Sequence, residues 1–267
     1  MKKMFGLLTI TILFISCSKE NDTSKDVVNL TNLDKYQKLA DAIDNVDARS
    51  KASVEEQMAS YLDDKYDKNF HTEFAKAKNK QKSSLFQKGA STDETIDLDK
   101  LLDEAAFTEV QKEFVKKSTA LYPLDDSDKV TKTDSLDVEK IKIGLLNVRG
   151  EVTEDIRLNA FQKEQLYTYI DLQYVTLGSV INYVEKVGDL SNNTTKKFSF
   201  RKMINQVFSI VVGVAVGAVL GSAGGVPGSI AGAVVIGGGV AYDVFHNNTC
   251  IKICGIGSCN TGFFSCK

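Results

Sequence analysis

The chain of 267 residues contains no tryptophan, two prolines and two histidines. His71 and His246 alone leave almost nothing from which to build a histidine metal centre or a histidine general base. Pro123 and Pro227 alone leave room for long unbroken helices. Neither sign of charge dominates: 33 Lys and Arg stand against 35 Asp and Glu, a net charge of −2, and no tract forms a basic arm. The electrostatic footprint of a nucleic-acid binder is therefore missing. There is no P-loop, no HExxH pair and no G-x-S-x-G elbow. Ser199-Phe200-Arg201-Lys202 has the S-x-x-K spacing without its companion motifs. Asp126, Asp128, Asp134 and Asp137 fall at calcium-loop positions, but Thr131 stands where the turn needs glycine, so the stretch reads as a solvated acidic loop. No catalytic residue, metal ligand or cofactor is nominated, and a non-enzymatic protein is expected. With 43% hydrophobic residues and 25% charged ones, disorder throughout is excluded.

What is present begins with an address. Residues 1–16, MKKMFGLLTITILFIS, pair a basic start with an apolar run too short to span a bilayer. Phe14-Ile15-Ser16-Cys17 resembles the lipobox of bacterial lipoprotein precursors, with Phe14 in place of the usual Leu. The resemblance implies cleavage after Ser16, diacylation of Cys17, and anchoring by two or three acyl chains, which together hold a protein stably on a membrane. Ser18 after the Cys, and the Ser18-Lys19-Glu20-Asn21-Asp22 stretch, are similar to outer-membrane and surface-export signals of Bacteroidetes lipoproteins. An outer-membrane lipoprotein of the bacterial cell envelope, exposed at its surface, is the implied location. Loss of residues 1–16, which hold two Lys and no acid, moves the net charge from −2 to −4.

Residues 17–32 are polar and read as a tether. A helical body is expected over 33–190. Leu33, Tyr36, Leu39 and Ile43 step at helical spacing. Ser53 and Glu56 have the pattern of a capping box, opening a helix whose stripe runs Val54, Met58, Tyr61, Leu62, Tyr66, Phe70 and Phe74. Residues 76–95 carry few apolar anchors and read as a mobile linker. One helix is expected over about 97–121 with Thr108 as a place for a fresh start, another near 136–148, and the longest over 159–187, capped by Asn159 and stopped by Gly188. Phe107 to Glu113 echoes Leu158 to Glu164, which reads as shared helix-start grammar more than as duplication.

The segment 203–242 has no charged residue and holds ten of the 19 glycines. Two arms of helix-forming length flank Gly221 to Gly228, where Pro227 among glycines signals a turn. Gly213, Gly217 and Gly221 repeat every four residues, as do Gly224, Gly228 and Gly232, which places small residues on one helix face and lets backbones approach. This resembles a glycine-zipper transmembrane helical hairpin. Gly costs about 1 kcal/mol relative to Ala in a helix in water, whereas in hydrocarbon the backbone must bond internally. A membrane-inserted hairpin is therefore the expectation. Storage inside a soluble bundle, as in colicin-type toxins, and a strand-forming segment are the competing readings. Lys196, Lys197, Arg201 and Lys202 precede the arm, interleaved with Phe198 and Phe200, as an interfacial anchor would.

The tail, 246–267, holds Cys250, Cys254, Cys259 and Cys266. With Cys17 acylated the number is even, and outside the cytoplasm two disulfides are the default. Three connectivities are open. The expectation is thus an all-α chain: a helical bundle, then a Gly-rich hydrophobic helical hairpin, then a short Cys-rich tail. Its expected partners are a lipid bilayer, a protein bound through the helical body and, through the hairpin, further copies of itself. The function expected is that of a membrane-associated structural or interaction protein, with a pore-forming or bacteriocin-like toxin as the alternative.

Overall fold

The computed structural model describes residues 33–63, 65, 68–84, 95–123, 136–191, 200–246 and 252–254. Nine α-helices among them make an all-α architecture with one very short sheet. Helix α1 is Asp34–Asp44, α2 Val54–Asp63 and α3 Lys68–Ser84; β1 is Thr95–Asp97; α4 is Leu98–Glu104, α5 Glu109–Thr119, α6 Val138–Glu154 and α7 Ala160–Ser191; α8 is Phe200–Gly221, α9 Gly225–His246 and β2 Lys252–Cys254. The strands pair in parallel, Ile96 opposite Ile253. Three residues apiece carry too little alternation to be read as strands from sequence.

Local chemistry sets several boundaries. The Ser53 hydroxyl accepts from the Glu56 amide at 3.2 Å while the Glu56 carboxylate accepts from the Ser53 amide at 3.2 Å, the expected capping box. Thr108 and Gln111 form another, and Asn159 and Gln162 a third. The two echoed segments are thus two helix starts with one grammar, and they also meet: the Gln111 side-chain amide donates to the Gln162 carbonyl at 3.2 Å and to Gln165 Oε1 at 2.9 Å.

Several expectations are corrected. The stripe from Val54 to Phe74 is broken into α2 and α3. Residues 76–84 are not linker but the second half of α3, whose fully buried anchor among the described side chains is Phe70, with Phe74 and Ala77 packed at the core's edge. The helix expected over 97–121 is two helices, because the chain turns at Ala106 with φ 57°. There the Phe107 amide reaches the Leu102 carbonyl and the Ala106 amide the Asp103 carbonyl, both at 2.9 Å. This is the Schellman closure that glycine usually makes. Helix α6 runs on to Glu154, past the expected end at 148. Helix α7 passes through Gly188 to Ser191, because a helix embedded among neighbours tolerates one glycine that an isolated helix would end on.

The hairpin packs within the body, as one of the competing readings of the sequence has it. Helices α8 and α9 do not stand apart from the body: their Val, Ile and Ala side chains belong to the same hydrophobic core as Tyr36, Leu39, Met58, Leu145 and Leu166. Helix α8 lies between α9 and α7, and α9 is covered by α1, α2 and α3. The segment Met203–Tyr242 is long and apolar enough to cross a membrane, yet 72% of its most apolar window is buried inside the molecule.

Candidate functional site

The hairpin is the site the sequence singles out, and its geometry rests on glycine. A Cβ added at Gly217 would stand 2.9 Å from the Gly232 carbonyl carbon, and one at Gly232 would stand 2.9 Å from the Gly217 carbonyl carbon. One at Gly221 would lie 2.7 Å from the Gly228 carbonyl carbon. Two pairs of glycines therefore let the helix backbones touch directly. Gly213 sits higher on α8, where an added Cβ would be 3.0 Å from Val240 Cγ2 and 3.7 Å from Gly237 Cα.

Gly224 departs from the expected pattern. It ends a 3-10 turn, Ser222–Gly224, instead of lying on the α9 face, and the reversal itself is made at Gly225 with φ 68°. Pro227 is likewise not the turn residue: it occupies the first turn of α9, where its missing N–H is one that no helix bonds anyway. Two further glycines are missed by a four-residue period. Gly237 faces Val214, and an added Cβ at Gly238 would meet Glu55 Cα of α2 at 2.9 Å. The run Gly237-Gly238-Gly239 was the available signal.

Arg201 and Lys202 fall in the first turn of α8, and Cys254 ends β2, in register with Asp97. Cys17, Lys196, Lys197, Cys250, Cys259 and Cys266 lie outside the described residues, as does most of the acidic loop. Among the described residues no group of three His, Cys, Asp or Glu side chains could hold a metal ion.

At the hairpin tip a cleft of about 160 Å³ opens between the glycine crossing and helices α3 and α4. Leu220, Val235 and Ile236 line it, together with Glu73, Lys76 and Glu104. The Glu73 carboxylate reaches over the tip, and a Cβ on Gly224 would come 3.3 Å from Glu73 Cγ. Lys76 Nζ donates to the other side of that carboxylate, Oε1, at 2.7 Å.

Beneath the hairpin, α7 presents a buried polar seam that periodicity does not reveal. Gln165, Thr168, Asp171, Gln173, Thr176 and Ser179 are all buried. Asp171, 1% exposed, accepts from Arg149 Nε at 2.6 Å, and the guanidinium lies 4.3 Å over the Tyr167 ring. Burial pushes the Asp171 carboxyl above the usual carboxylate range, and the Arg149 contact only partly opposes this. The Tyr122 hydroxyl donates to Gln173 at 3.2 Å, and burial pushes Tyr122 and Tyr169 well above the usual phenol range. Two exposed apolar residues stand at the opposite extreme, Ile156 at 97% and Phe161 at 67%, flanking the α6–α7 turn. That turn is held by Arg157, which donates to Asp155 at 2.6 Å and to Glu113 at 3.1 Å.

Compared with protein-family models, curated proteins and solved structures, the chain matches none.

Proposed function

We propose that this chain is a non-enzymatic lipoprotein of the bacterial envelope whose glycine-rich hairpin is a membrane-inserting element stored inside its own helical body. One observation carries the reading: an uncharged segment of 40 residues, long and apolar enough to cross a membrane, is folded away within the core as a complete helical hairpin. Because the glycine crossing is internal to α8 and α9, the pair can leave the body without giving up its own interface. Every helical backbone bond travels with it, as a bilayer requires. The cover on one side is light, since among its described side chains α3 contributes a single fully buried large one, Phe70, worth about 1.5–3 kcal/mol of burial. The body would then serve as shield and carrier. Acylation of Cys17 would hold it at a membrane surface, the basic run Lys196, Lys197, Arg201 and Lys202 would face the headgroups, and glycine-lined hairpins would associate with further copies.

The test uses the chain from residue 17 with Cys17→Ser and dye-loaded vesicles of mixed zwitterionic and anionic lipid. The Glu73→Cys/Gly224→Cys pair ties the hairpin tip to α3. A disulfide there contributes about 2–4 kcal/mol to the closed form, so leakage should fall by about tenfold or more on oxidation and return on reduction. The parent chain with and without reductant measures what the tail cysteines do. A parent chain that never leaks vesicles and stays an intact monomer among them removes the proposal.

A second reading rests on Ile156 and Phe161. If the hairpin stays inside, the chain is a lipid-anchored interaction protein whose partner docks on this rigid apolar turn, and Ile156→Ser/Phe161→Ser abolishes that docking without touching the fold.

A further inference from the structure

The cleft at the hairpin tip has a chemistry of its own. Its walls are apolar, formed by Ala77 of α3, Leu220 of α8, Ala223 of the 3-10 turn, and Val235 and Ile236 of α9. Its volume of about 160 Å³ is that of a pocket for one small apolar body; apolar protein cavities of about 150 Å³ hold a benzene molecule. Its lining also includes two acidic residues, Glu73 and Glu104, against one Lys, Lys76.

Within the Lys76–Glu73 ion pair the two charges are unequally placed. The Lys76 side chain is 67% exposed and that of Glu73 21%, so the cation stands out in water while the anion leans inward. Lys76 takes Oε1 of the carboxylate at 2.7 Å. The other oxygen, Oε2, faces the tip glycines, 3.6 Å from where a Cβ on Gly228 would be. An entering molecule therefore meets an apolar chamber with a carboxylate oxygen of Glu73 beside the tip glycines, and Glu104 is a second acidic residue of the lining. An anion entering there would meet more like charge than opposite charge, two acidic lining residues against one Lys. A cation would find an oxygen ready to accept a charge-assisted hydrogen bond.

We propose that this cleft binds a small organic ammonium: a primary amine cation on an apolar body about the size of a benzene ring. Its walls come from α3, α8, α9 and the tip, so the occupant bridges the hairpin and its cover. A ligand that binds only this closed arrangement stabilises it by mass action. The cleft exists in the closed form alone, and its occupant binds there whether or not the hairpin ever enters a bilayer.

Titration calorimetry and Tm measurements on the chain from residue 17 with Cys17→Ser, without lipid, test it. The probes are phenethylammonium, phenylacetate and benzyl alcohol, which share an apolar ring and differ in charge. Phenethylammonium should bind at one site and raise Tm with its concentration. Phenylacetate should bind at least about tenfold more weakly, as like charge at a binding site dictates. Ala77→Phe, which fills the chamber, should abolish binding, and Ala223→Leu is the second filling variant should the first fail to fold. Glu73→Gln and Glu104→Gln together should remove the preference for the cation while leaving benzyl alcohol unaffected. Absence of saturable phenethylammonium binding, equal or tighter binding of phenylacetate, or binding that survives filling of the chamber each overturns the assignment.

Discussion

Glycine has opposite meanings at different positions of this chain, and space around the missing Cβ decides which. At Gly232 a Cβ would press on the Gly217 carbonyl group of the facing helix, so Gly232→Val forces two backbones apart. A loss of about 1–3 kcal/mol or more is expected in urea unfolding, the usual result of overpacking. At Gly150 and Gly178 nothing lies within 4 Å of the added atom, and both sit inside helices. Gly150→Ala and Gly178→Ala should each stabilise by about 0.5–1 kcal/mol, the helix-propensity difference. Asp171 gives the pH prediction at this scale. Its folded pKa is raised, so the folded state holds the proton more tightly than the unfolded chain. Stability from this group is greatest below the unfolded value and falls as pH rises toward the folded one. The urea-unfolding free energy of the parent chain minus that of Asp171→Asn should therefore decrease as pH climbs from acid toward neutrality. A flat or rising difference contradicts the buried carboxyl. Asp171→Ala should cost about 3–5 kcal/mol at neutral pH by leaving Arg149 buried without its anion, and Arg149→Met in the same chain should restore much of that.

Helix ends were the part of the elements most open to reading in advance. The capping boxes at Ser53 and Thr108 and the Asn159 cap are local grammar, complete within four residues, and the helices start there. Ends that depend on neighbours were not legible. Gly188 fails to stop α7, and α3 forms from a segment with few apolar anchors because α9 supplies the surface it lies on. The break after α4 hides for another reason: Ala106 takes a left-handed conformation that sequence assigns to glycine. Ala106→Gly should stabilise the protein by about 1 kcal/mol, read as a higher urea midpoint at unchanged slope. Thr108→Ala, one residue from the same turn, should cost about 1 kcal/mol through the lost cap.

At the scale of the whole molecule, the arrangement is a hairpin of low polarity wrapped by helices of moderate amphipathicity. Without lipid, amide exchange should be slowest in α7, α8 and α9, which form the middle of the core, and faster in α3, which holds on through Phe70. If the hairpin inserts, vesicles should leave α8 and α9 protected while α2 and α3 lose protection, because their partner has moved into the bilayer. Retained protection in α2 and α3 with vesicles present would place the hairpin in the body for good.

The amino-acid sequence by itself determined that the described chain is helical, where several helices begin, and that 203–242 is a separate chemical population, uncharged and glycine-rich. Each of these follows from local composition and spacing, which a reader of the sequence holds in full. Only the tertiary structure decided what that segment touches. Apolar surface is satisfied equally by hydrocarbon and by a protein interior, since neither offers water, and so hydropathy cannot distinguish them. The choice belongs to distant partners: Tyr36 and Leu39 of α1, Met58 of α2, Phe70 of α3 and the polar-seamed α7, brought around the hairpin by the fold.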